Sequence, residues 1–354
     1  MTTTVAVNVS LRPRPPRAAP DHRADDRLID RYGRVHRDLR ISITDRCNLR
    51  CVYCMAEEGV EFLPRSEILT YEELARVARV AHDLGVTRVR ITGGEPLVRR
   101  GLESFVTMLA GIGFSDLSMT TNGIGFDRRA QGLADAGLHR VNISCDSLRA
   151  LRFAEIRRSG DLATVLSAMD AAERAGLKPL KVNVVVLAGR NDDEIVDFAR
   201  FARDTGRVVR FIEYMPLDGG HTWDRTSVVS AARILELISE RWALEPVVPS
   251  DADPSAPATR YRFSDGMGEI GVIPTVTEPF CGTCDRLRVT ADGAIRNCLF
   301  ANDEAPLRDL LRGGGSDEAI AMALRGAVDA KLPGHGINDP GFLRPARSMS
   351  MIGG

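Results

Sequence analysis

"TDRCNLRCVYC" (residues 44–54) carries three of the chain's seven cysteines within eight residues, at Cys47, Cys51 and Cys54. The spacing is C-x-x-x-C-x-x-C, directly after a β-like run, "RISIT" at 40–44. Three thiols on one loop either grip a metal centre together or stand unliganded. A cubane four-iron cluster is normally held by four thiolates, so three would leave one iron open. Zinc with a fourth ligand from elsewhere is the alternative, and spacing alone keeps both readings open.

Further β-like runs follow: "RVRIT" at 88, "LSMTTN" at 117, "RVNIS" at 140, "KVNVVV" at 181 and "VVRFIEYM" at 208. Helical patterns separate them. In "YEELARVARVAHDLG" (71–85), Leu74, Val77, Ala81 and Leu84 share one face, and Gly85 ends the helix. "RAQGLADAG" and "NDDEIVDFARFARDTG" read the same way, the second with Asn191 as N-cap. Alternating strands and helices predict parallel βα units, six of them, forming a partial, open α/β barrel. In such a barrel, chemistry sits at the C-terminal ends of the strands, where the cysteine loop falls.

The 354 residues allow one large domain or two ordinary ones, and a 44% hydrophobic, 27% charged composition is that of a globular protein. A formal net charge of −1 gives no overall attraction to nucleic acid or membrane, and no apolar run is long enough to span a bilayer. A cytoplasmic setting is expected, where clustered cysteines point to metal or catalysis rather than to disulfides. Residues 1–36, rich in Arg, Pro and Ala, read mostly as a disordered leader; Asp21, Asp25, Asp26 and Asp30 argue against a transit peptide. Residues 37–250 hold the barrel pattern. A Pro/Ser/Asp linker, "PSDADPSAPATR", introduces a C-terminal α+β domain at 251–354, with strand-like pieces near 260, 270, 287 and 295. "DEAPLRDLLRGGG" and "SDEAIAMALRGAVDAK" read there as helices.

That C-terminal part carries a second trio, Cys281, Cys284 and Cys298, within "FCGTCDRLRVTADGAIRNC". A second cluster with an open iron is one reading; zinc completed by His335 is the other. Between the cysteines, Arg286 and Arg288 point to one side of a strand, a spacing that suits polyphosphate. Arg40, Arg90 and Lys181 sit at predicted strands, and lysine is rare here, occurring only at 178, 181 and 331 among 47 basic residues. Cations buried inside a barrel need a compensating anion, and a nucleoside triphosphate would supply one. Cys145 reads as small core packing, and His82, His139 and His221 lack metal-ligand spacing.

The first trio, with Tyr53 before its last cysteine, and "GGEPL" at 93–97 resemble two landmarks of the radical S-adenosylmethionine enzymes. Adding "TTNG", "KVNVV", "CGTCDRLRVTADG" and the terminal Gly-Gly, residues 37–354 resemble the GTP 3′,8-cyclase family of molybdenum cofactor biosynthesis. The resemblance implies a partial (βα)6 TIM-like radical barrel and two [4Fe–4S] clusters. Cys47, Cys51 and Cys54 would hold the first, and Cys281, Cys284 and Cys298 the second, whose open iron meets guanine. Tyr53, Gly94, Ser144 and Met215 would contact S-adenosylmethionine. Arg40, Arg90, Thr121, Lys181, Arg286, Leu287 (through its backbone) and Arg288 would line the GTP site. Gly353 and Gly354 would reach into the barrel, serving catalysis with Arg286 and Arg288.

The implied reaction begins when a 5′-deoxyadenosyl radical removes the C3′ hydrogen of GTP. The C3′ radical adds to guanine C8, and reduction gives (8S)-3′,8-cyclo-7,8-dihydroguanosine 5′-triphosphate. Implied partners are a reductant protein, which the sequence does not identify, and a downstream cyclic pyranopterin monophosphate synthase. The chain would act as a monomer or homodimer. Two rivals stand beside this: a peptide-modifying radical enzyme with an auxiliary cluster, and a non-catalytic iron–sulfur or zinc protein that binds nucleotides.

Overall fold

The computed structural model describes residues 26–58, 60–247 and 255–353. Six strands come first: β1 (Asp38–Ser42), β2 (Arg88–Thr92), β3 (Asp116–Thr121), β4 (Arg140–Ser144), β5 (Lys181–Val186) and β6 (Val208–Glu213). Between and after them run α1 (Tyr71–Asp83), α2 (Leu102–Ala110), α3 (Ala130–Asp135), α4 (Ala150–Arg157), α5 (Leu162–Arg174), α6 (Ile195–Thr205) and α7 (Ala231–Ser239). The rest comprises β7 (Leu244–Pro246), β8 (Thr259–Phe263), β9 (Glu269–Ile273), β10 (Arg286–Val289), β11 (Ala294–Arg296) and β12 (Ala305–Pro306). Three helices, α8 (Arg308–Arg312), α9 (Asp317–Asp329) and α10 (Met349–Ile352), complete it.

All these strands join one sheet, ordered β12-β11-β10-β1-β2-β3-β4-β5-β6-β9-β8-β7. The six expected units form its middle. The C-terminal segment adds a parallel strand on each side, β10 beside β1 and β9 beside β6. Arg288 of β10 and Ile273 of β9 are separated in the sheet by six strands, yet both line one cavity. The sheet therefore curls into an open barrel.

Strand alternation sorts the side chains. Leu39, Ile41, Val89, Ile91, Leu117, Met119, Val141, Ile143, Val182, Val209, Phe211, Val272 and Leu287 lie in the outer core beneath the helices. Register partners on the other face are polar: Arg40 pairs with Arg90 and Arg288, Arg90 with Ser118, and Asn183 with Arg210. A barrel interior is normally filled with branched apolar side chains. This one is built to hold something polar.

The helix readings hold where periodicity was strong. α1 opens on a Thr70/Glu73 capping box and buries Leu74, Val77 and Ala81. Gly85, at φ +87°, ends it. Asn191 leads into α6 as expected but does not cap it. Its side chain instead accepts from the Leu187 N–H and donates to the Asp146 and Val185 carbonyls, tying the loops after β4 and β5 together. "DEAP" is not helical, because Ala305–Pro306 pair with β11, so α8 begins only at Arg308.

The leader reading needs correction from residue 26 onward; residues 1–25 lie outside the described residues. Leu28 is fully buried in the main core, and Ile29 bridges to Val35. Asp30, also buried, takes an ion pair from Arg34 at 2.5 Å and a contact from His36 at 3.1 Å. Arg and Pro composition hid this one docked turn. Of the expected linker, 249–254 lies outside the described residues, whereas Ser255 is buried and its carbonyl accepts from Arg286. Leu28→Ala is expected to cost about 2–5 kcal/mol of stability, as buried leucine truncations do. Urea unfolding of the apo chain measures this; an unchanged midpoint would mean the segment contributes nothing.

Candidate active site

The first cysteine loop is strapped in place by "GGEP". The Gly94 N–H donates to the Thr44 carbonyl at 2.7 Å, and the Glu95 N–H to Arg46 at 2.8 Å. A Cβ on Gly94 would sit 2.3 Å from the Arg46 oxygen, so no other residue permits this approach. The Glu95 carboxylate then accepts from the Leu97 N–H, the Thr121 hydroxyl (2.7 Å) and the Asn122 N–H (2.7 Å). The Asn122 amide reaches the Asn48 side chain at 2.8 Å and Cys47 Sγ at 3.9 Å. Loops after β1, β2 and β3 are thus one unit.

From the other side, the Tyr53 hydroxyl donates to Asp146 at 2.8 Å. Asp146 follows β4, accepts the Val185 N–H, and pairs with buried Arg157 at 2.9 Å. Burial pushes the Cys47 thiol up to about 11, and Cys51 and Cys54 upward as well. These sulfurs become thiolates only against a strong positive partner.

Below this loop lies the cation-rich lumen. Arg40, Arg90, Arg210, Arg286 and Arg288 all line the same cavity. Burial, and then the neighbouring cations, depress Arg40 and Arg90 to about 9 and Arg288 to about 10. Arg210 is lowered well below its ordinary value for the same reasons.

The carboxylates do not balance them. Asp116 is bound by Arg140 and Asp285 by Arg88. Burial opposes ionisation of Asp38, but Arg40, Arg90 and Arg286 outweigh it and hold the carboxyl at about 2. Arg40 Nε and Arg286 Nε are buried without a hydrogen-bond partner. Asp38, 3.9 Å from Arg286 Nε, is one carboxylate among several buried arginines, and buried charge in excess of its counter-charge is costly, so the lumen suits an anion.

The second trio closes the cavity from the C-terminal side. Arg286 Nη1 approaches Cys284 Sγ at 3.4 Å and Lys331 Nζ does so at 3.6 Å. Arg34, from the docked N-terminal turn, donates to the Cys281 carbonyl at 2.8 Å. The chain's last described residues enter the lumen. Ile352 packs with Leu217, Val276, Phe300 and Ile337. Gly353, at φ +82°, lies so close to β1 and β2 that a Cβ would meet Thr92 Oγ1 at 2.4 Å. Its carbonyl accepts from Arg288 Nη1 at 2.8 Å.

The cavity thus gathers Cys47, Cys51, Cys54, Cys281, Cys284, Cys298, Tyr53, Gly94, Ser144, Met215, Arg40, Arg90, Thr121, Arg286 and Arg288. Lys181 does not line it but shares a strand face with Asn183, which does, and feels Arg210, Arg140 and Arg90. The Leu287 side chain lies in the outer core, leaving only its backbone near the site. Gly354 lies outside the described residues. Sequence reasoning missed Arg210, Asp146, Arg157 and Lys331. Arg210 was legible from "VRFIE", where it alternates with outer-core Val209 and Phe211. Arg157, at a helix end, gave no signal.

Among the described residues, no three His, Cys, Asp or Glu side chains converge on a single-ion site. With N–H groups aimed at Cys47 Sγ from Leu49 at 3.4 Å and from Asn122, the first trio fits a cluster.

Comparison with known proteins gives the same assignment. Residues 41–202 match the Radical SAM superfamily, and 207–337 match Molybdenum Cofactor Synthesis C. A GTP 3′,8-cyclase of Corynebacterium glutamicum is 47% identical over 92% of this chain and 89% of its own. One from Mycolicibacterium smegmatis is 48% identical over 94% and 93%. The chain belongs to the GTP 3′,8-cyclase family. An iron–sulfur cluster and S-adenosylmethionine come with its radical barrel. Streptococcus suis SuiB, solved with S-adenosylmethionine, superimposes with TM-score 0.56 at 15% identity, over 84% of this chain and 69% of its own. That likeness is of fold alone. The peptide-modifying and non-catalytic rivals give way to the cyclase family.

Lys181 yields a signed pH prediction. Burial first, then Arg210 and Arg140, lower its ammonium from 10.5 to about 7. The ligand-free fold therefore binds fewer protons than the unfolded chain between pH 7 and 10.5, and this group favours folding more as pH rises through that window. A bound polyphosphate reverses the shift. At pH 8, GTP binding is expected to take up protons, in calorimetry across buffers of different ionisation enthalpy, and Lys181→Met to abolish most of the uptake. Equal uptake by the variant would contradict the assignment.

Proposed function

We propose that this protein catalyses the cyclisation of GTP between ribose C3′ and guanine C8, the first step of molybdenum cofactor biosynthesis. The observation that carries the reading is one cavity in which two cysteine trios flank a cluster of buried arginines that outnumber the carboxylate among them, Asp38. On this reading Cys47, Cys51 and Cys54 hold one [4Fe–4S] cluster and Cys281, Cys284 and Cys298 a second. Tyr53, Gly94, Ser144 and Met215 contact S-adenosylmethionine. When bound and cleaved, that cofactor supplies a hydrogen-abstracting radical, chemistry no side chain provides.

The protein's own residues do the positioning. Arg40, Arg90, Arg286 and Arg288 take the triphosphate, with Lys181 and Arg210 adding charge from β5 and β6. Thr121 and the Leu287 backbone border the nucleotide. Holding the phosphates at one end and guanine near the second trio fixes C3′ against C8, and orientation of this kind is worth several powers of ten in rate. The Gly353 carbonyl aims the Arg288 guanidinium, and Gly354, next in sequence, is proposed to serve catalysis with it. The recessed lumen limits the access of water to the radicals.

The proposed setting is cytoplasmic, consistent with the lack, among the described residues, of any helix long and apolar enough to cross a membrane. The chain would act as monomer or homodimer, with barrel (37–250) and C-terminal (251–354) parts, a reductant protein, and a downstream cyclic pyranopterin monophosphate synthase.

The deciding experiment is an anaerobic assay with reconstituted protein, dithionite, S-adenosylmethionine and GTP deuterated at C3′. Deuterium in the 5′-deoxyadenosine, read by mass spectrometry, is the expected result. Unlabelled 5′-deoxyadenosine would overturn C3′ as the target, and none at all would overturn the enzyme.

A further inference from the structure

Lys331 is one of only three lysines in the chain and is almost fully buried. Buried lysine without a counter-charge is rare and costly. It sits just beyond α9, where the chain turns back toward the second trio. Its ammonium donates to the Arg286 carbonyl at 2.8 Å and reaches Cys284 Sγ at 3.6 Å. Among the described residues no carboxylate hydrogen-bonds to it. Cys284 and Cys298 favour its charged form, whereas burial and the cations Arg34 and Arg286 oppose it. The anion that balances this ammonium is therefore a cysteine sulfur.

Its surroundings fix it in that role. The Arg286 carbonyl it grips belongs to β10, the strand leading out of the second cysteine loop. Arg34 braces the same loop at Cys281 and at the carbonyls of Leu332 and Pro333, the two residues after the lysine. The ammonium is thus held from both sides, with little freedom to swing into solvent. A compact point charge suits a single sulfur.

We infer that Lys331 is a positioning residue of the second cluster, fixing Cys284 and setting the cluster's reduction potential through an N–H···S contact. The inference rests on the second-cluster reading above. Hydrogen bonds and positive charge at a cluster's sulfurs stabilise the added electron and raise the potential. Lys331 thereby makes the cluster facing the substrate easier to reduce than its thiolates alone would.

The test uses the full-length chain with Cys47→Ser, Cys51→Ser and Cys54→Ser, so that iron enters only the second trio. Iron and sulfide analysis comes first; absence of a cluster there would overturn both the second-cluster reading and this inference. With the cluster present, Lys331→Met is expected to lower its reduced-to-oxidised ratio at fixed potential about tenfold, which for a one-electron couple is ~59 mV. Lys331→Arg, keeping the charge, should restore most of the ratio. In the unsubstituted protein grown on 15N-lysine, pulsed EPR of the reduced second cluster should show a 15N coupling. A ratio within twofold of the parent at equal loading, or no 15N coupling, would overturn the role of Lys331 while leaving the second cluster standing.

Discussion

Too much positive charge inside a barrel is the constraint on which the rest of this structure depends. Arg40, Arg90, Arg210, Arg286 and Arg288 converge from four strands on a lumen whose carboxylates are mostly engaged elsewhere. Desolvating cations without partners opposes folding, so the outer layer must offset it. The unbroken apolar face beneath the helices, from Leu39 and Val89 round to Phe211 and Val272, is what holds the sheet curled. Apolar burial thus keeps the lumen open, and the lumen's charge awaits a polyanion.

The same constraint explains why the C-terminal segment is woven into the barrel. β10 supplies Arg286 and Arg288 by pairing with β1, so two of the five arginines exist only because the chain returns to that edge. The loop before β10 and the turn after β11 carry the second trio, which brings those cysteines to the substrate side. The tail then closes the lumen, and Gly353 is small enough to lie on Ser42 and Thr92 while its carbonyl meets Arg288. Radical chemistry needs this enclosure, because an exposed radical is quenched by whatever reaches it first.

Much of this was legible in the sequence, for physical reasons. Period-two alternation in "RVRIT" and "KVNVVV" gave strands and also sorted apolar from polar faces. Short-range cysteine spacing exposed both trios, and glycine in "GGEP" marked a close backbone approach later seen at Gly94. What stayed hidden depends on contacts remote in sequence. Arg157 reaches Asp146 from a helix end, Lys331 reaches Cys284 across 47 residues, and Arg34 reaches Cys281 across 247. The turn at 26–36 was masked because Leu28 is a lone apolar anchor in arginine-rich composition. Strand pairing between β10 and β1 likewise has no local signature.

The most direct test of the lumen's purpose is equilibrium binding of GTP, GDP, GMP and guanosine to the cluster-loaded protein. If the buried arginines exist to take a polyphosphate, affinity falls at each lost phosphate, and high salt weakens GTP far more than guanosine. Guanosine binding as tightly as GTP would contradict the account, because the base alone would then carry recognition and the lumen charge would need another explanation.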